Sequence, residues 1–297
     1  MRVSDSMTGL SLINNLNRNK AYIEELRTKI ALNSKIRKPS DEPIGTARVL
    51  NLTDQLNGIE TFTKNSDAGV AYLDNTIFHM ESMQTEIEKI MINLADLNNG
   101  TLQDNKAEYA AKIDQAINTL MDLANSEFDG KYLFGGTDHS EKPFGYNAAE
   151  TAIEVKVSGI DGEQKIQISK HLTQKINITG EELFGPVDGS DIFNTLIGIR
   201  DSLEAGLDPP QMLIEGVSDF NDKVINKLSE AGNLQNRLYD NMELLDNQAL
   251  LLNDLVSREK DIDMAGAVME LQNREYLLNL SYKLSASILP KSLMDFM

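Results

Sequence analysis

Residues 52–94 read LTDQLNGIETFTKNSDAGVAYLDNTIFHMESMQTEIEKIMINL. Positions 52, 56, 59, 63, 66, 70, 73, 77, 80, 84, 87, 91 and 94 advance in alternating steps of four and three. They hold Leu52, Leu56, Ile59, Thr63, Ser66, Val70, Leu73, Ile77, Met80, Gln84, Ile87, Met91 and Leu94, ten of them apolar. A period near 3.5 residues held this long predicts a helix packed along its length on other helices. At ~1.5 Å per residue, residues 45–97 span roughly 80 Å. Upstream, Ser40-Asp41-Glu42 before Pro43 suits a helix start: a capping side chain, acids near the positive end, proline in the first turn. Asn98-Asn99-Gly100 supplies a stop.

A matching stripe runs through the last third. Ile214, Val217, Asn221, Val224, Leu228, Ala231, Gln235, Leu238, Met242, Leu245, Ala249, Leu252 and Val256 keep the same steps, eleven of the thirteen apolar. Two long stripes flanking a central region are placed to pack antiparallel, each covering the other's seam. Between them Ala110, Ile113, Ile117, Leu120 and Ala124 mark a second helix, ending near Ser126 before a turn at Asp129-Gly130. Residues 135–190 change texture. Ile153, Val155 and Val157 alternate with polar neighbours, Ile166 with Ile168 and Ile176 with Ile178 repeat the alternation, and Asp161-Gly162 reads as a hairpin turn. The reading is three or four short strands in a small inserted β domain, then a short helix from Asp191 to Ala205 closed by Gly206 and Pro209-Pro210. The expected class is mainly α: a long antiparallel coiled-coil or helical-bundle rod formed by the N- and C-terminal halves, with a small inserted β domain.

Both ends are amphipathic. Leu12, Leu16, Ile23, Leu26 and Ile30 mark one heptad face, interrupted by Asn19; Met264, Val268, Leu271, Leu278, Tyr282 and Leu289 mark another, interrupted by Glu275 and Ser285. Leu277, Leu280, Leu284 and Ile288 add a second stripe. A helix apolar on two faces has more to bury than one partner covers, which points to association between subunits. The assembly interface is therefore expected at Leu12, Leu16, Ile23, Leu26, Ile30, Val268, Leu271, Leu278, Tyr282 and Leu289.

Composition narrows the function classes. The 297 residues allow one large domain or two to three small ones, and 41% hydrophobic content suits one-sided helices better than one thick core. The absence of cysteine removes disulfides, thiolate metal sites and cysteine nucleophiles. The start, MRVSDSMTGLSLINNLNR, lacks the apolar run of a cleaved signal peptide, and no stretch approaches the ~18 apolar residues of a membrane span. A net charge of −18 disfavours nucleic acid and anionic lipid as partners. Residues 1–38 carry +5, leaving −23 on the remainder. His79, His139 and His171 lie far apart with no metal-ligand neighbour at i+3 or i+4, and Gly130-Lys131-Tyr132 lacks the rest of a phosphate-binding loop. Asp41-Glu42, Glu181-Glu182 and Asp261 with Asp263 sit where helix capping explains them. No enzyme, cofactor, metal or small-molecule substrate is expected.

Several separated motifs resemble the flagellin superfamily. Met1-Arg2-Val3-Ser4 looks like its start, and IRKPSDEPIGTAR at 36–48 is similar to its motif after the first terminal helix. The Pro-Ser-Asp-acid-Pro variant, Asn99-Gly100-Thr101-Leu102, NSEFDGKYLFGG at 125–136 and the ending ILPKSLMDFM at 288–297 resemble its hook-associated branch more than filament flagellin. Asn33 stands where the family usually has glycine, and Lys35 where arginine is usual. Asparagine is the next best residue for a left-handed turn; lysine keeps the charge but loses the bidentate fork. The resemblance implies a subunit at the hook–filament junction, exported through the flagellar type III channel without a cleaved leader. Its partners would be hook-associated protein 1, flagellin, further copies of itself and an export chaperone. The division it implies is 1–42 N-terminal assembly helix, 43–134 and 190–257 the two halves of the rod, 135–189 the β domain, and 258–297 C-terminal assembly helix. A minor filament flagellin, and more remotely a cytosolic coiled-coil scaffold, are the alternatives.

Overall fold

The computed structural model describes the backbone of residues 2–98, 105–139, 141–149, 151–185 and 191–288. In chain order the elements are α1 (Arg2–Ala31), α2 (Pro43–Asn98), α3 (Lys106–Ala124), β1 (Glu127–Phe128), β2 (Lys131–Tyr132), β3 (Phe144–Tyr146), β4 (Ile153–Val155), β5 (Lys165–Ser169), β6 (Leu172–Lys175), α4 (Gly180–Phe184), α5 (Ile192–Glu204), α6 (Gln211–Lys260) and α7 (Met264–Ile288). The chain divides into two compact units, residues 58–247 and residues 1–57 with 248–297. Helices α2 and α6 contribute to both.

The two long stripes do what their period requires. Not one of their twenty-six positions is exposed. In the 58–247 unit, Gly69 lies against Leu238 while Asp74 hydrogen-bonds Gln235, so α2 and α6 run antiparallel. In the other unit Arg48 pairs with Glu259 at 3.1 Å. Leu73, Met80, Ile87, Val217, Val224 and Leu238 are fully buried, each worth roughly 1.5–3 kcal/mol of transfer from water. Helix α3 packs antiparallel on α5, held by Lys106–Asp208 at 2.7 Å at its start and Arg200–Asp114 at 3.0 Å near its middle.

The start of α2 differs from expectation. The Asp41 carboxylate turns back to accept the N–H groups of Lys38 (2.9 Å) and Arg37 (3.1 Å). The Lys38 bond first, opposed by desolvation and joined by the Arg37 bond and the charges of Lys29 and Arg37, holds its carboxyl below the usual range. Proline therefore begins the helix without help from this side chain. The Asn99-Gly100 stop and the 99–102 motif lie outside the described residues.

The strands form three separate two-stranded antiparallel sheets, β1–β2 just before the expected insertion and β3–β4 and β5–β6 within it. Asp129 and Gly130, at φ 51° and 71°, make the tight turn between β1 and β2, the left-handed pair that an Asp-Gly hairpin requires. Asp161-Gly162 closes a turn, with Gly162 N–H donating to Gly159 O at 2.9 Å, but joins no paired strands: β4 pairs back on β3. Ile176 and Ile178 are buried outside any strand, and β5 pairs instead with Leu172–Lys175. Burial, not strand geometry, produced that second alternation.

Asparagine side chains fasten these hairpins to helices. Asn125, just past α3, donates to Phe144 O and accepts from Phe144 N–H, both at 2.9 Å. Asn194 does the same at Ile153, and Asn65 and Asn241 reach Gln167 O and Ile168 O. The amide carries a donor and an acceptor spaced like a peptide, so it extends a sheet edge. Gly69 lies where β5–β6 crosses α2, and a Cβ there would stand 2.7 Å from Ile166 Cδ1, so that side chain would have to shift. Under the insertion, Phe184 stacks on Phe193 and Phe220 and meets Phe134 and Phe144 edge-on.

Thr179 and Glu182 form a capping box for α4, and Glu182 also pairs with Lys175 at 2.8 Å and Lys227 at 3.6 Å. Desolvation raises the Glu182 carboxyl, but Lys175, Lys227 and the Thr179 N–H outweigh it and leave it lowered. A lowered carboxyl stabilises the fold above the unfolded value, about 4.3, and the benefit fades as pH falls through the native value. Glu182→Gln is expected to cost about 0.5–1 kcal/mol at pH 7, reduced by solvent screening of a half-exposed pair, and nothing near pH 3. Urea melts of both proteins at pH 7 and pH 3 check this; an equal difference at both would refute it. Phe184→Ala is expected to cost about 3–5 kcal/mol in the same melts.

Candidate assembly surface

The unit made of residues 1–57 and 248–297 is built around α1 and α7. Ile23 and Leu26 are buried, and Leu12, Leu16 and Ile30 half-buried, so the α1 stripe turns inward. On α7 the inward positions are Ala267, Leu271, Arg274, Leu278 and Ser281. Of the α7 residues expected at the assembly interface, Leu271 and Leu278 lie in the seam, whereas Val268 and Tyr282 are exposed. Leu289 lies outside the described residues. The physical reason is in the side chains that meet. Arg274 lies over the Tyr22 ring at 4.5 Å, Tyr22 donates to Glu270 at 3.0 Å, and Arg27 pairs with Glu275 at 2.7 Å. These polar contacts are the ones α7 makes in this rotation, with Ala267 buried in the seam. The Glu270 bond and burial also raise the Tyr22 phenol above its ordinary value.

The rotation leaves a large apolar surface. Among the described residues this unit buries three apolar side chains, Ile23, Leu26 and Ala267, and exposes seventeen large ones. The 58–247 unit exposes eight and buries thirty-eight. On α7, Met269 (66% exposed), Tyr276 (65%), Leu280 (40%) and Leu284 (49%) recur at helical spacing. Leu250 and Leu251 on α6 and Leu10 and Ile13 on α1 extend the list. An apolar surface so out of proportion to the core beneath it is the mark of an interaction surface.

Charge divides along the same line. Residues 58–247 hold 14 Lys and Arg against 33 Asp and Glu, a net −19, and the other unit holds 14 against 13, a net +1. The acidic excess thus resides in the well-packed unit, and the apolar surface sits on a neutral one. Copies meeting through the neutral unit avoid the like-charge repulsion of the other.

Among the described residues no three His, Cys, Asp or Glu side chains are grouped to hold a metal. Burial lowers His79 and His139, and the phenol of Tyr72, donating to Leu133 O at 2.8 Å, is raised by burial. Each is explained by packing.

Because the seam and the outer face are distinct, substitutions on them should separate. Leu26→Ala is expected to destabilise the α1–α7 pairing by about 2–3 kcal/mol, and Tyr276→Ala to change it by less than about 0.5 kcal/mol. Amide hydrogen exchange in α1 reads both; equal effects would show that the two faces are not distinct.

The comparisons with known proteins agree with this architecture. Residues 3–139 match the bacterial flagellin N-terminal helical region, and residues 214–297 the bacterial flagellin C-terminal helical region. The flagellin of Bacillus subtilis strain 168 is 24% identical over 308 residues, covering 96% of this chain and 95% of that one. The flagellin of Listeria monocytogenes is 21% identical over 285 residues, covering 95% and 93%. Among solved structures, a flagellar hook-associated protein structure from Vibrio parahaemolyticus shares the fold with a TM-score of 0.68 at 17% identity, over 74% of this chain and 100% of that chain. FlgL of Bacillus cereus does so with a TM-score of 0.59 at 19% identity, over 70% and 99%. Two long helical segments flanking a β insertion, matched at both ends by the same family, establish that the chain belongs to the flagellin family.

Proposed function

We propose that the chain is a structural subunit of the flagellar hook–filament junction, the counterpart of hook-associated protein 3, and that it polymerises through its terminal helices. The observation that carries assembly is the apolar imbalance of the unit that holds both termini: three buried apolar side chains against seventeen large exposed ones. A surface of that kind needs neighbours to cover it. Membership of a family of filament proteins supports copies of related chains as those neighbours. The junction role is supported by the shared fold with the Vibrio hook-associated protein and the Bacillus FlgL, and by the motif variants at 36–48 and 125–136. In this reading residues 1–42 and 258–297 are the assembly segments, 43–134 and 190–257 the helical halves, and 135–189 the insertion. The partners are hook-associated protein 1 on one side, flagellin on the other and further copies around the ring. An export chaperone escorts the chain to the type III channel, and it acts outside the cell in the flagellum.

One observation favours a second reading. The flagellins of Bacillus and Listeria align over nearly the whole chain, which suits a minor filament flagellin. Immunogold labelling of intact flagella with an antibody to residues 135–189 distinguishes the two. A cluster at the hook–filament boundary is expected; label along the filament would replace the junction with a filament role, and label confined to the cytoplasm would overturn both.

Removal of residues 1–30 or 270–297 is expected to leave residues 58–247 folded, since their core is independent of those segments, and to abolish incorporation. Tyr276→Glu with Leu280→Glu is expected to do the same without changing the melting of the monomer. Incorporation of either truncated chain at the level of the intact one would defeat the terminal-helix reading.

A further inference from the structure

Helix α6 stops at Lys260 and α7 starts at Met264, yet the residues between, Asp261-Ile262-Asp263, include neither glycine nor proline. One cause of the break is local. The Asp263 carboxylate accepts the Gly266 N–H at 3.2 Å and its carbonyl accepts the Ala267 N–H at 2.8 Å, which caps α7. The other cause comes from more than two hundred residues away, in the loop between α1 and α2. Lys35 N–H donates to Lys260 O at 2.8 Å, and Lys35 Nζ donates to Arg258 O at 3.1 Å. In an unbroken helix Lys260 O would take the Met264 N–H, and Arg258 O the Ile262 N–H. One loop residue therefore occupies two of the four carbonyls that a helix C-terminus leaves open, and its charge suits the negative end.

The loop that presents Lys35 is itself fixed. Helix α1 ends with Asn33 in the left-handed region at φ 46°. Ser34 N–H reaches Lys29 O at 3.0 Å and Asn33 N–H reaches Ile30 O at 3.1 Å, the paired bonds of a Schellman end. Ser34 is buried, and its hydroxyl donates to Ile36 O at 2.7 Å. Arg48–Glu259 adds an ion pair beside the joint.

The break changes which face α7 turns inward. Continued past Ala249, Leu252 and Val256, the α6 stripe would fall on residues 259, 263, 266, 270 and 273. Of these Asp263 and Asn273 are exposed and Gly266 and Glu270 half-buried, whereas the α7 seam runs through Ala267, its one buried residue among those described, and Leu271, Arg274 and Leu278, one residue later. One residue is a rotation of about 100°.

We propose that Lys35 is a positioning residue: by occupying the last carbonyls of α6 it holds the joint at 261–263 open, and so sets the residue at which α7 begins and the face that α7 presents outward. Without its two bonds α6 grows into α7, and the helical phase of α6 carries through. The consequence for assembly rests on the function proposed above; the joint itself does not.

Amide hydrogen exchange at residues 262–265 of the full chain tests it. In the native chain these amides exchange fast. Lys35→Pro removes both the N–H and the ammonium, and is expected to slow them about tenfold or more as helix closes over the joint. Lys35→Ala removes only the ammonium and slows them less. Met264→Pro is compatible with the first position of α7 but not with a helix interior, so adding it to Lys35→Pro restores fast exchange at Ile262 and Asp263. Rates unchanged from the native chain in both Lys35 variants would overturn the proposal, as would slowing that Met264→Pro does not reverse. Exchange reads the joint directly, whereas the immunogold result reads location, so failure of one is distinguishable from failure of the other.

Discussion

Helices of 56 and 50 residues with a single apolar stripe cannot bury that stripe against themselves. Everything else in the chain is arranged around the pairing this forces. A 3.5-residue period keeps the seam on one side of each helix for many turns, and antiparallel packing lets each cover the other. Departures from apolarity within the stripes are tolerated where a partner exists. Ser66, fully buried on α2, lies 3.5 Å from the Asn241 side chain on α6, and Gln235 reaches Asp74. Polar residues at seam positions fix register at some cost in stability.

The inserted hairpins solve a different problem. Two-stranded sheets of two to five residues are marginal alone, and each here leans on a helix. What secures them is a set of asparagine amides and a cluster of five phenylalanines, rather than a sheet core. Asparagine supplies a donor and an acceptor from one rigid group, so a single side chain satisfies a strand edge that would otherwise be open.

The two units follow opposite strategies. Residues 58–247 bury their apolar side chains and carry nearly all the net negative charge; the unit with the termini is close to neutral and wears its apolar side chains outside. The first arrangement suits a chain that stays soluble and separate, the second a chain that meets others. Within the second unit, the seam between α1 and α7 is flanked by polar and charged side chains, Tyr22, Arg27 and Arg274. That seam is thin, so the helices are held in place without using up the surface a neighbour would cover.

The sequence by itself determined the mainly helical class, the extents of α2, α3, α5 and α6 to within a few residues, and the inward side of the two long stripes. It could do so because an alternating four-and-three spacing held over thirteen positions leaves one solution. The α1 stripe was legible as an apolar face, but that Ile23 and Leu26 are buried within the chain was decided by the tertiary structure. The tertiary structure decided the rest. Helix α7 carries apolar residues on two faces, so period alone could not say which is inward; in the structure Ala267, Leu271 and Leu278 turn inward, with Arg274 over the Tyr22 ring. Strand pairing in the insertion was beyond local pattern, because Ile176 and Ile178 alternate like a strand yet are buried by contacts from distant helices. The break at 261–263 was legible only as a pair of capping aspartates, since half of its cause is a backbone N–H at Lys35 that no local pattern near residue 260 records.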